Sequence, residues 1–141
     1  MEEFGEGKIR YLEMIQSVVS RMSSNSFSLK SWAVTLVAGI LALSSSEADK
    51  TYFLIAFFPI IIFWLLDSYY LQLERKYRSL FESIRKDEDA EIDFNMDLRG
   101  VTVLNRKNLR YYSCLISKIE ILFYLPLGLI VVGVMVVTNL M

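Results

Sequence analysis

Two residues of opposite charge stand at the ends of apolar runs. Lys30 lies near the start of FSLKSWAVTLVAGILALSSS, and Asp67 directly follows YFLIAFFPIIIFWLL. An ammonium and a carboxylate in such places support two kinds of chemistry. They can form an ion pair at an interface, with the lysine snorkelling towards water. They can also form a charged ring or gate at the cytoplasmic mouth of an oligomeric pore, because ionisable groups at membrane depth are costly and mark functional sites. Lys118 and Glu120 stand at the corresponding end of a third apolar run.

A second group of titratable residues is the acidic stretch that holds Asp87, Glu88, Asp89, Glu91, Asp93 and Asp97. Asp93, Asn95 and Asp97 match the first, third and fifth positions of an EF-hand loop. Leu98 then stands where the loop needs glycine, and Leu104 where it needs a bidentate glutamate. A solvated acidic loop is the better reading, with no metal and no cofactor. Histidine is absent, and Cys114 is the one cysteine, which excludes an internal disulfide framework and a cysteine-based zinc site. No P-loop, GxGxxG, GxSxG or HExxH occurs, so the chain reads as a non-enzyme with no catalytic or cofactor-binding residues.

The elements that must position Lys30 and Asp67 are set by hydropathy. Of 141 residues 54% are hydrophobic, and three runs are almost free of charge: residues 27–46, 52–66 and 121–141. Crossing a hydrocarbon core takes about 20 apolar residues, whereas a buried helix of a soluble protein explains only about 10–14. Three such runs leave too little amphipathic chain to cover them in water. The amino terminus, MEEFGEGKIR, is polar, and no apolar run follows it for about twenty residues, so the first span reads as retained rather than cleaved. Pro59 and Pro126 lie inside the second and third spans, where lipid-embedded helices tolerate them. Ala38 and Ala42 form a small-xxx-small step, a candidate helix contact in the first span.

Charge fixes the expected orientation. Fourteen of the fifteen basic residues lie in residues 1–30 and 67–120, and only Lys50 lies in the short loop between the first two spans. Positive charge near span ends stays cytoplasmic, so the amino terminus and the long middle segment are expected inside and the carboxyl terminus outside. Mixed charge, with a net of −1, also argues against a basic nucleic-acid-binding surface.

Both cytoplasmic flanks carry helical seams. Tyr70, Leu73, Tyr77, Leu80 and Ile84 recur at helical spacing, and Tyr11, Met14, Ile15, Val18 and Met22 do so before the first span. Each seam is flanked by both signs of charge, which favours packing of the two against each other, within or between chains, over lying flat on lipid. Residues 91–98 alternate polar and apolar, and VTVL follows Arg99–Gly100. That pattern fits a short β-hairpin, or a loop that tucks its apolar side chains against the stalk.

The expected fold is an all-α membrane protein: three transmembrane helices with helical cytoplasmic extensions and a short β-hairpin in the cytoplasmic loop. Residues 1–26 form a cytoplasmic amphipathic helix, 27–46 transmembrane helix 1, 47–51 an external loop and 52–68 transmembrane helix 2. Residues 69–86 form a cytoplasmic helical stalk, 87–118 an acidic loop and return segment, and 119–141 transmembrane helix 3.

The strings NSFSLKSWAVTLVAGILAL and FPIIIFWLLDSYYLQLERKYRSLF, with DFNMD and a final apolar span, resemble small bacterial membrane proteins similar to the SLATT-type membrane effectors of antiphage defence systems. The likeness covers residues 11–81 most closely, and the third span departs from a simple two-helix effector. It implies a bacterial inner-membrane homo-oligomer that perturbs the bilayer once a cytoplasmic sensor or other defence-system protein is activated. It carries over no catalytic or ligand-binding residues. The expected function is therefore a pore-forming or membrane-disrupting effector. The alternative is a non-conducting anchor or scaffold subunit that recruits a soluble cytoplasmic partner.

Overall fold

The computed structural model describes residues 2–44, 50–86, 94, 96–98 and 109–140. Among them are four helices: α1 (Glu2–Ser44), α2 (Lys50–Lys86), the single-turn α3 (Tyr111–Leu115) and α4 (Lys118–Leu140). Three of these, α1, α2 and α4, contain segments long and apolar enough to cross a membrane, with mean hydropathy of 1.6, 1.9 and 2.5. Their outward faces carry large apolar side chains such as Trp32, Leu54, Phe58 and Leu122, the last 78% exposed. A water-soluble monomer rarely shows so continuous an apolar surface, so the chain is a membrane protein.

The first two helices form a long antiparallel hairpin. With 43 residues, α1 reaches about 65 Å at 1.5 Å per residue, roughly twice the thickness of a hydrocarbon core. It runs unbroken across residues 26 and 27, and α2 runs unbroken across residues 68 and 69. No Gly–Pro signal interrupts either helix at those points, and α2 continues through Pro59 as α4 does through Pro126.

Two apolar clusters hold the hairpin. Ala33 and Val37 of α1 meet Phe53, Ala56 and Ile60 of α2 and Tyr124, Leu127 and Val131 of α4 in the membrane-length part. At the far end Tyr11, Ile15 and Val19 meet Leu80, with Tyr77, Phe81 and Ile84 packed around them. One stripe on α1 serves both. Tyr11, Met22, Ala33 and Ser44 stand eleven residues apart, as do Ile15, Ser26 and Val37, and Val19, Lys30 and Leu41; every one is buried or half-buried. An eleven-residue repeat gives 3.67 residues per turn, close to the natural helix, so the stripe stays on one side of a nearly straight rod.

That repeat corrects the amino-terminal seam. Ile15 is fully buried but Met14 is 47% exposed, and Val19 takes the inward place expected for Val18. Val18, Met22, Tyr70 and Leu73 are half-buried, outside the group of side chains packed on the cluster. Ala38 and Ala42 face outward, and within the chain the first span packs through Ala33 and Val37. A Cβ added to the adjacent Gly39 would meet nothing within 4 Å.

No strand occurs among the described residues. Most of the segment expected as a hairpin lies outside them, but Phe94 adopts φ 47°, a left-handed conformation that interrupts an extended run. Met96 and Leu98 pack on the stalk cluster, and the Phe94 ring stands edge-on to Tyr11 at 5.5 Å. Among the described residues of this loop, Phe94, Met96 and Leu98 thus lie against the stalk.

Candidate functional site

Between the two apolar clusters lies a polar layer, built where α1, α2 and α4 come to one level. Lys30 projects from the α1 stripe one turn beyond Ser26, whose Oγ accepts from its Nζ at 3.0 Å. The same Nζ donates to Asp67 Oδ2 of α2 and, at 3.2 Å, to Glu120 Oε1 of α4. One ammonium thus joins carboxylates from two other helices. Tyr124, one turn after Glu120 on the inward face of α4, donates its hydroxyl to Asp67 Oδ2 at 3.1 Å.

The layer is withdrawn from solvent. Asp67 is 0% and Glu120 1% exposed, while the lysine side chain keeps 16%. Phe123 and Tyr124 stand with ring centroids 5.8 and 6.0 Å from Nζ, close enough for their π faces to attract the cation. Asp67 Oδ1 and Glu120 Oε2 are buried without a hydrogen-bond partner. A buried ion pair recovers its desolvation cost only when geometry and extra hydrogen bonds are good. Here Ser26 and Tyr124 supply two such bonds, and one oxygen of each carboxylate is left without one.

The surrounding frame is fixed by side chains that bond to backbone. Trp64 stacks on Tyr124 at 6.3 Å and donates Nε1 to the carbonyl of Leu115 at 3.1 Å, satisfying an orphan carbonyl at the end of α3. Gln72 Nε2 donates to Leu109 O at 2.8 Å, Tyr111 donates its hydroxyl to Leu65 O at 3.0 Å, and Arg75 Nη2 donates to Ser117 Oγ at 2.9 Å. These bonds lash the return segment to α2, which sets where α4 begins and hence where Glu120 sits. Cys114, buried beside Arg75, has its thiol pushed above its ordinary value by desolvation, partly offset by the guanidinium.

The structure brings Lys30 and Asp67 together and adds Glu120 from the third span. Tyr124 was not singled out from sequence; its signal was its place four residues after Glu120, on the same face of an otherwise apolar helix. The cluster carries two acids, one base and a phenol, all turned on one another, an arrangement suited to holding helices together. Among the described residues no three His, Cys, Asp or Glu side chains form a group that could hold a metal ion. Of the EF-hand-like positions, Asp93 and Asn95 lie outside the described residues, as do Asp87, Glu88, Asp89 and Glu91, and Asp97 is exposed.

No protein-family model, curated protein or solved structure matches this chain.

Proposed function

We propose that the chain is a homo-oligomeric effector of the bacterial inner membrane, which opens or disrupts the bilayer when its stalk is engaged. In this reading it has no chemistry of its own, its amino terminus and stalk face the cytoplasm, and a soluble sensor supplies the trigger. The observation that carries the reading is the Lys30 cluster. It ties all three membrane-length helices at the root of a stalk whose two helices pass into the membrane part without a break. A force on the stalk therefore acts on the bundle through a buried polar joint, and buried charge at membrane depth is seldom kept without a use. Three helices cannot enclose a useful aqueous pore, so assembly of several chains belongs to the proposal.

The anchor reading has an observation of its own: the charges are closed on one another inside one chain rather than facing a lumen. Induced expression with dye-entry and membrane-potential readouts separates the two. The effector loses potential when its cytoplasmic partner is activated, and the paired swap Lys30→Asp/Asp67→Lys alters that loss. An anchor keeps potential in every variant and co-purifies with a stoichiometric soluble protein. Retention of full potential with an activated partner present overturns the effector reading.

A further inference from the structure

A groove of about 460 Å³ runs between α2 and α4 beneath the end of α3, with Phe57, Trp64, Leu115, Ile116, Leu125 and Gly128 among its walls. That volume falls within the roughly 300–1,000 Å³ of sites that hold small molecules. The polar atoms of its wall side chains are already used. Trp64 Nε1 is bonded to Leu115 O and the Tyr124 hydroxyl to Asp67, so nothing there calls for water or a polar ligand. Gly128 gives the groove its depth. A Cβ at that position would stand 4.0 Å from Phe57 Cε1, and anything longer would enter the space. Both walls belong to membrane-length helices, so the groove opens into the hydrocarbon.

Its head has the opposite character. Lys118 is exposed at the first turn of α4, between Ile116 and Ile121 of the groove wall. Arg75 sets its guanidinium on the residue before it, donating to Ser117 Oγ at 2.9 Å, and also reaches Cys114 Sγ at 3.6 Å. Lys118 makes no ion pair among the described residues, and Glu120, two residues on, is turned inward to Lys30. The first amides of α4 add the positive end of a 23-residue helix.

We propose that this groove is a binding site for an anionic phospholipid, with one acyl chain lying between α2 and α4 and the phosphate held at the head of α4 by Lys118 and Arg75. An apolar slot with Lys118 and Arg75 at the head of α4 is complementary to that molecule at both ends. The site is independent of whether the chain conducts or anchors.

The test uses the full chain reconstituted into nanodiscs of equimolar phosphatidylglycerol and phosphatidylcholine, then released into mild detergent for native mass spectrometry. One phosphatidylglycerol is expected to stay bound per chain. Lys118→Gln should retain lipid but lose roughly fivefold of the preference, from about 1 kcal/mol per basic residue at a membrane surface. Gly128→Leu should fill the groove and lose the lipid while far-UV circular dichroism is unchanged. Should that variant fail to fold, the wild type with a phosphatidylglycerol carrying a diazirine on its acyl chain decides: crosslinks concentrate on Phe57, Ile116 and Leu125. Equal retention of the two lipids by the wild type, an undiminished complex in folded Gly128→Leu, or crosslinks spread evenly over α1 would each overturn the site.

Discussion

Replacing Lys30 by methionine keeps the bulk of the side chain and removes the one cation that two buried carboxylates share. Asp67 would keep its bond from Tyr124, whereas Glu120 would lose the ammonium that Oε1 accepts from, with Oε2 already unpartnered. Removing one partner of a buried pair costs about 3–5 kcal/mol, most of it the penalty of a stranded charge. Replacing every polar member with apolar groups of similar volume should recover that loss, because buried ion pairs exchanged for well-packed side chains are often neutral or better. Lys30→Met is thus expected to lose about 3–5 kcal/mol, and the quadruple variant Lys30→Met/Asp67→Leu/Glu120→Leu/Tyr124→Phe to return close to wild type. Reversible unfolding from mild-detergent micelles into dodecyl sulfate reads this directly. Trp64, stacked on Tyr124, serves as the fluorophore in a Trp32→Phe background. A loss below about 1 kcal/mol for Lys30→Met is the range of an exposed pair such as Arg78 with Glu74, and would refute the burial of the cluster.

Three further outcomes follow from the packing. Ile15→Ala, at a fully buried stalk position, should cost about 2–5 kcal/mol, while Met14→Ala stays within about 0.5; hydrogen exchange in the stalk distinguishes them, and equal effects would displace the eleven-residue stripe. Gly39→Ala meets no atom within 4 Å and should raise stability by about 0.5–1 kcal/mol, read by the same unfolding assay. The Cys114 thiol is raised above its ordinary 9.0 by burial, so the folded state holds its proton more tightly than the unfolded chain does. Its contribution is complete below the unfolded value and is lost as pH rises through the folded one, so stability should fall on the alkaline side. Cys114→Ala should remove the first part of that fall, and Tyr111, raised by burial as well, should supply a later part beyond its ordinary 10.0.

Much of the architecture was legible because it depends on long averages. A run such as residues 121–141 admits few structures besides a membrane-length helix, and uninterrupted helical spacing from Tyr69 onward carries α2 past Asp67 as one rod. The level shared by Lys30 and Asp67 follows from antiparallel geometry alone, and Glu120 enters at that level because the third span begins there. What escaped depends on phase. Val18 and Val19 are chemically identical, and only the partner helix decides which turns inward. Tyr124 could not be told from an interfacial aromatic until α4 was docked with that face on Asp67. The alternation over residues 91–98 has a strand period, yet two of its apolar side chains found a surface on the stalk, and burial against an existing cluster outweighs a marginal two-stranded pairing.

The single stripe along α1 also makes chain length a form of angular bookkeeping. Deleting one exposed residue such as Ser23, between the two clusters, would turn Tyr11, Ile15 and Val19 by about 100° relative to Ala33 and Val37. Either the stalk or the membrane face could then meet α2, but not both. Substituting the same serine should be silent, because its side chain faces solvent. Segments of eleven residues, three whole turns at the observed spacing, are the unit by which such a rod can be lengthened while both faces keep their bearing, provided α2 grows to match.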